Sequence, residues 1–273
     1  MKKSFWSKVI VFSMVFCFGI SGSAFAESLV IKGSTTVLPV AQMAAEVYMK
    51  MHPDLNVSIS GGGSGNGIKA LIDGSTDIAN ASRFIKQKEI DLAMKNNVFP
   101  VAHRVAIDAI VPVVHPTNRI KNITLAQLKS IYRAEIRNWK ELGGEDRKIV
   151  IISRDTSSGT YEVWHKKVMK KERVAPTAQL LASNGAVAQA VTNNKHAIGY
   201  VGIGYLNKNI KALDVSGVTP SVTTALNGTY PIARPLFMFT NGWPKGVASD
   251  FINYVVSPKG QKIVEEEGFV PLY

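Results

Sequence analysis

Five glycines fall within seven residues at Gly61–Gly67, in the stretch SGGGSGNGIKAL. Glycine weakens regular structure, so such a cluster between two regular elements needs a structural reason. The residues before it, Leu55–Ser60, alternate apolar and polar and read as a strand. Those after it, Ile68–Asp73, begin a helix. A strand that passes through glycine directly into a helix constrains the fold strongly. It describes either a flexible turn or a backbone that approaches a ligand and aims its N–H groups at it.

The surroundings repeat the arrangement. Ser28–Lys32 reads as a strand, followed by Gly33-Ser34-Thr35-Thr36 and a helix whose Val37, Val40, Ala41, Ala44, Tyr48 and Met51 share one face. Asp77–Ala81 is a further short strand. This β-α-β-α-β order predicts an α/β fold with helices packed on a largely parallel sheet. A second such rhythm follows Ile149–Ser153, through Arg154-Asp155-Thr156-Ser157-Ser158-Gly159-Thr160 into a helix. One long apolar strand, Ile107–His115, separates the rhythms, and a second, Arg234–Thr240, appears near the end of the chain. The pattern therefore predicts two lobes, 27–112 with 234–273 and 113–233, joined by two crossing strands. One continuous sheet is the alternative. Thr124–Arg133, Lys245–Val256 and Pro258–Gly268 read as helices.

The first 26 residues stand apart. Lys2, Lys3 and Lys8 precede an apolar run, Val9–Ile20, that is too short to span a bilayer, and Ala24-Phe25-Ala26 matches a cleavage site. Residues 1–26 are expected to be a signal peptide, cleaved before Glu27. Cys17, the only cysteine, lies inside it, preceded by Phe16 where a lipid-attachment site wants a small residue. A mature chain without cysteine excludes disulfides, thiol nucleophiles and thiolate metal sites. Loss of the three lysines lowers the formal charge from +12 to +9. The surplus favours anionic partners, but the basic residues are spread along the chain, and export argues against nucleic acid.

Three loops share one chemistry: strand end, then Ser, Thr and Gly, then helix start. Each taken alone is explained by helix capping. Together, at the C-terminal ends of strands in an α/β pattern, they describe an oxyanion site. Thr35, Thr36, Ser64, Ser158 and Thr160 supply hydroxyl donors, Gly63, Gly65 and Gly159 let the backbone come close, and Arg154 offers a charge-assisted pair. Enzyme motifs fail. Ile68 stands where a P-loop needs lysine, the Gly62–Asn66 run lacks the last glycine of a nucleophile elbow, and Gly63-x-Gly65-x-Gly67 has the wrong spacing for dinucleotide binding. His52, His103, His115, His165 and His196 show no metal-ligand spacing. Glu265-Glu266-Glu267 reads as a solvated helix face, and Trp139, Trp164 and Trp243 as packing residues.

The motifs GSTTVLPV, GGGSGNGIKAL, DIANASR, RDTSSGT and SPKGQKIVEEEGFVPL, in that order, together with ITLAQLKSIYRAEIRNW, resemble the periplasmic phosphate-binding proteins of ABC importers. The resemblance spans nearly all of the mature chain, and Arg154 with Ser158-Gly159-Thr160 is its most specific part. It implies a two-lobed periplasmic-binding-protein fold of type II that clamps one anion, with no enzymatic activity and no cofactor. It implies an anion site of Thr35, Thr36, Ser64, Gly65, Ser82, Arg83, Arg154, Ser158, Gly159 and Thr160. It also implies inorganic phosphate as ligand, an ABC permease in the inner membrane as partner, a periplasmic location and a monomer. One position departs from the pattern. Many members carry an acidic residue after Ala-Ser of the third motif, where it accepts the proton of hydrogen phosphate; here Ala81-Ser82 is followed by Arg83, which cannot accept. Asp108, Asp155 or a hydroxyl is left to do that work, or the anion is sulfate, molybdate, tungstate or arsenate. A sensor role and a secreted phosphatase are the remaining alternatives.

Overall fold

The computed structural model describes residues 27–273, so the expected signal peptide, its cleavage site and Cys17 lie outside the described residues. The first half runs β1 (Glu27–Gly33), α1 (Leu38–Met51), β2 (Leu55–Gly62), α2 (Ser64–Ile72), β3 (Ile78–Ala81), α3 (Gln87–Lys95) and β4 (Pro100–Val114). The second half runs β5 (Asn122–Ile123), α4 (Leu125–Tyr132), β6 (Val150–Arg154), α5 (Gly159–Lys167), β7 (Gln179–Leu181), α6 (Asn184–Thr192), β8 (Ala197–Gly202), β9 (Lys211–Ala212), β10 (Asp214–Val215) and α7 (Val222–Leu226). The chain then returns through β11 (Ala233–Asn241) to α8 (Gly246–Val256) and α9 (Pro258–Glu266).

The strand order is β2-β1-β3-β11-β4-β8-β6-β7, with β9 added on β4. Strands β2, β1 and β3 are parallel, as are β7, β6 and β8. Between these groups lie β11 and β4, antiparallel to each other and to their outer neighbours β3 and β8. Strand β4 is the pivot. From Pro100 to Ala109 it pairs with β11, and from Ile110 to Val114 with β8. The two expectations from the sequence are thus both present: two β/α lobes, and a hydrogen-bonded path that stays continuous because β4 belongs to each. Its last ten residues, Val105–Val114, are all buried, as an apolar strand covered on both faces requires.

Local chemistry explains the elements that matter for the site. Helix α1 starts at Leu38, later than the Thr35-Thr36 pair, with Pro39 in its first turn. Residues 35–37 form a preceding turn, in which Ser34 Oγ accepts the Thr36 N–H at 3.1 Å and the Ser34 carbonyl accepts the Leu38 N–H. Its buried face, Val40, Ala41, Ala44, Ala45 and Tyr48, is close to the one expected. Helices α3 and α6 arise in stretches where the sequence alone had suggested no element. Trp139 and Trp164 are buried, the latter stacked on Tyr200 at 4.1 Å, but Trp243 is 78% exposed and is not the packing residue expected. Among the described residues no helix is long and apolar enough to cross a membrane.

Candidate functional site

All the parallel strands of each lobe end on the same side, so the loops after β1, β2, β3, β6 and β7 meet in one crevice. The glycine run is explained there. Gly62 and Gly63 have φ of 119° and 98°, values that favour glycine. A Cβ on Gly63 would stand 2.6 Å from Ser157 Oγ and 2.8 Å from its carbonyl oxygen. Gly65 donates its N–H to the Ser157 carbonyl at 2.9 Å, and Ser157 Oγ lies 3.1 Å from the Gly62 carbonyl. The run thus lets one lobe's backbone touch the other's. It does so at a cost to the expected site: the Gly65 N–H faces Ser157 rather than open crevice.

The hydroxyls converge. Thr36 Oγ1 and Thr160 Oγ1, one from each lobe, lie 3.1 Å apart. Ser64 Oγ accepts the Ser82 N–H at 3.0 Å and lies 3.3 Å from Ser82 Oγ. Gly159 faces that pair, since a Cβ built on it would overlap Ser64 Oγ and stand 2.6 Å from Ser82 Oγ. Ser158 is the N-cap of α5, its Oγ accepting the Tyr161 N–H. Arg154 ends β6 and is 1% exposed. Its Nε and Nη2 donate to the Leu181 and Ala182 carbonyls at 2.9 and 2.8 Å, which leaves Nη1 buried without a partner. Burial lowers the Arg154 guanidinium, while Tyr200 and Asp155 oppose that effect. A guanidinium stays charged regardless, so Nη1 is a buried cationic donor with an unmet hydrogen bond.

Arg83, also expected at the site, is held largely by a carboxylate, with its Nε buried and without a partner. Its Nη1 and Nη2 donate to the two carboxylate oxygens of Glu89 at 2.8 and 2.7 Å, and Nη1 also reaches the Phe84 carbonyl. Burial raises Glu89, but the hydrogen bonds from Arg83 and the Lys86 backbone outweigh it and hold the carboxyl below its ordinary value. Glu89→Gln is therefore expected to cost about 1–3 kcal/mol at neutral pH, where Arg83 would keep a charge with no carboxylate. A carboxyl lowered in the folded state contributes stability above its unfolded pKa and loses it as pH falls through the folded one. Denaturant unfolding should thus show the wild-type advantage intact at pH 7 and shrinking below 4.5, the unperturbed glutamate value.

Three residues that sequence reasoning did not single out contact the expected site residues. Asn184, the first residue of α6, donates from Nδ2 to Thr35 Oγ1 at 3.2 Å and Thr36 Oγ1 at 3.0 Å. Its Oδ1 accepts the Gly202 N–H, which settles the orientation of the amide. Tyr205, whose hydroxyl burial pushes up to about 12, donates to the Thr35 carbonyl. Arg234, in β11, pairs with Asp108, in β4, through Nε and Nη2 at 2.8 and 2.7 Å. Asp108, considered above only as a proton acceptor, is thus tied to a cation. The sequence held a signal for the pair. Each is a lone charge near the head of a long apolar strand, and buried charges are found paired. Burial drives the Asp108 carboxyl up and the Arg234 guanidinium down; their attraction and hydrogen bonds oppose both movements. Removing only one partner of such a pair typically costs about 3–5 kcal/mol, because the other charge stays buried.

The fold defines a two-lobed binding protein of the periplasmic type, with hydroxyl and guanidinium donors gathered in its crevice. A family model described as a PBP superfamily domain matches residues 21–259. The phosphate-binding protein PstS of Bacillus subtilis is 34% identical over 90% of this chain and 81% of its own length. The PstS of Borreliella burgdorferi is 35% identical over 88% of each. Among solved structures, a Clostridium perfringens protein crystallised with bound phosphate, assigned as a phosphate ABC transporter substrate-binding protein, is similar with a TM-score of 0.85. That likeness has 33% identity and covers 90% of this chain and all of that one. The chain belongs to the PBP superfamily and, within it, to the family of these PstS phosphate-binding proteins.

Proposed function

We propose that this protein binds inorganic phosphate outside the cytoplasm and delivers it to an ABC permease in the inner membrane, acting without catalysis. The observation that carries this reading is the meeting of hydroxyls from both lobes beside a buried arginine with a free donor. Thr35, Thr36, Ser64 and Ser82 come from the lobe of residues 27–112 and 234–273, and Arg154, Ser158, Gly159 and Thr160 from that of 113–233. The first N–H groups of α5, at Gly159 and Thr160, have no intrahelical partner and add donors and positive potential. A tetrahedral anion with many lone pairs matches such a set. Arg83, held by Glu89, adds positive potential from beside the site rather than a direct contact.

The proton of hydrogen phosphate needs an acceptor. Asp155 Oδ1 accepts both the N–H and the hydroxyl of Ser157, and Asp108 accepts from Arg234 and the Ile203 N–H. Ser82 Oγ is one oxygen able to do so: if its proton goes to Ser64 Oγ, its lone pairs are left to accept. A neutral reader of this kind lets phosphate bind while rejecting sulfate less firmly than a carboxylate would. Residues 1–26 would direct export, giving a periplasmic monomer.

Titration calorimetry of residues 27–273, refolded free of bound anion, tests the reading. One-to-one phosphate binding with a weaker sulfate response is expected. Preference for sulfate or molybdate would keep the clamp and discard phosphate as its ligand, and no anion binding would return the three loops to plain helix caps.

A further inference from the structure

Arg234 is 4% exposed and touches both lobes at once. While Nε and Nη2 hold Asp108, Nη1 donates to the Ser82 carbonyl at 3.0 Å, and Nη2 also reaches Thr36 Oγ1 at 3.2 Å and Thr160 Oγ1 at 3.0 Å. Asp108 is fully buried and anchored in turn by the Ile203 N–H at 2.9 Å. The guanidinium is therefore a fixed post between the crossing strands, with one threonine hydroxyl from each lobe resting on it.

The consequence is a direction imposed on protons. A hydroxyl has one proton and two lone pairs, and a guanidinium only donates. Nη2 carries two protons: one goes to Asp108, and the other to Thr160 Oγ1 at 3.0 Å, the nearer of the two threonines. Thr36 Oγ1 accepts from Asn184 and faces Thr160 Oγ1 at 3.1 Å. With an acceptor in the crevice, Thr36 gives its proton to Thr160 Oγ1, whose lone pairs are then filled by Thr36 and Arg234 and whose own proton is left for that acceptor. Thr160 Oγ1 then has no lone pair to present to the crevice.

We propose that Arg234 is a positioning residue for the anion site: it fixes Thr160 together with Thr36 of the other lobe, so that in the closed form the Thr160 hydroxyl is held as a hydrogen-bond donor to the anion. This rests on the phosphate reading above and extends it to a residue that does not itself touch the ligand. It also divides the labour of the site. The threonine side is restricted to unprotonated anion oxygens, and a protonated oxygen has to face elsewhere in the crevice.

A double-mutant cycle tests it. Arg234→Lys keeps a charge for Asp108 but cannot span Ser82 and both threonines, and is expected to weaken phosphate binding about 30- to 100-fold. In a Thr36→Val, Thr160→Val background the same change is expected to cost less than about threefold, since the hydroxyls through which it acts are gone. Affinities are read by calorimetry, and by the phosphate-dependent rise in Tm where they fall to millimolar. If the lysine variant does not fold, the charge-free pair Arg234→Met with Asp108→Leu replaces it, with the same expected loss and the same expected disappearance. An equal penalty in both backgrounds, with wild-type phosphate binding intact, overturns the role of Arg234 alone. Failure of the wild-type protein to bind phosphate overturns the functional reading, and this inference with it.

Discussion

Gly159→Ala is expected to abolish measurable phosphate binding, a loss of at least about a hundredfold, while leaving the protein folded and no less stable. Gly159 is the first residue of α5, and its backbone is not in the left-handed region that demands glycine. In an ordinary helix the change to alanine would be favourable by up to about 1 kcal/mol. Here the added Cβ overlaps Ser64 Oγ and comes within 2.6 Å of Ser82 Oγ, both on the opposite lobe. The methyl group therefore acts as a wedge. It holds the lobes apart where the donors of α5 must join those of α2 and β3, and the open form loses half its contacts to the anion. Calorimetry and thermal unfolding on one sample separate the two effects. A variant that binds phosphate normally would place the anion away from Gly159 and remove α5 from the site.

Arg154→Met is the second change with a large expected effect, again about a hundredfold or more in phosphate affinity. One charge-assisted hydrogen bond is worth about 1.5–3 kcal/mol, and a buried cation adds longer-range attraction. Methionine matches the volume but leaves the Ala182 carbonyl without its donor and the Leu181 carbonyl with the Asp155 N–H alone, so a stability loss of about 1–2 kcal/mol is expected beside it. Phosphate binding within threefold of wild type, measured on the folded variant, would mean that the unmet Nη1 serves another purpose.

The two effects differ in how visible their causes are in the sequence. Arg154 was legible because a lone arginine at the end of a buried strand, just before Ser158-Gly159-Thr160, is explained poorly by packing alone. The importance of Gly159 as a contact was not, because a glycine at a helix start is ordinary and its neighbours, Ser64 and Ser82, lie far away in the chain. The order of strands and helices was legible for the same reason as Arg154: apolar periodicity and glycine punctuation are local. Helix α6 was not legible because Ser183-Asn184-Gly185 are turn-forming residue types, although Ser183 is its N-cap, accepting the Ala186 N–H. The pairing of Arg83 was not legible because its carboxylate partner, Glu89, stands six residues on and is brought back only by the turn before α3.

Sequence by itself determined the two β/α halves, the two long apolar strands and the Ser, Thr and Gly loops at the strand ends, since each depends on residues within a few positions of one another. Tertiary structure decided which loops touch, where protons point, and that Arg234 and Asp108 stand at the centre rather than in the core. Those are properties of atoms 3 Å apart in space and, in the case of Thr36 and Arg234, 198 residues apart in the chain. A hydrogen bond has a steep dependence on distance and angle, so nothing short of the folded geometry specifies it.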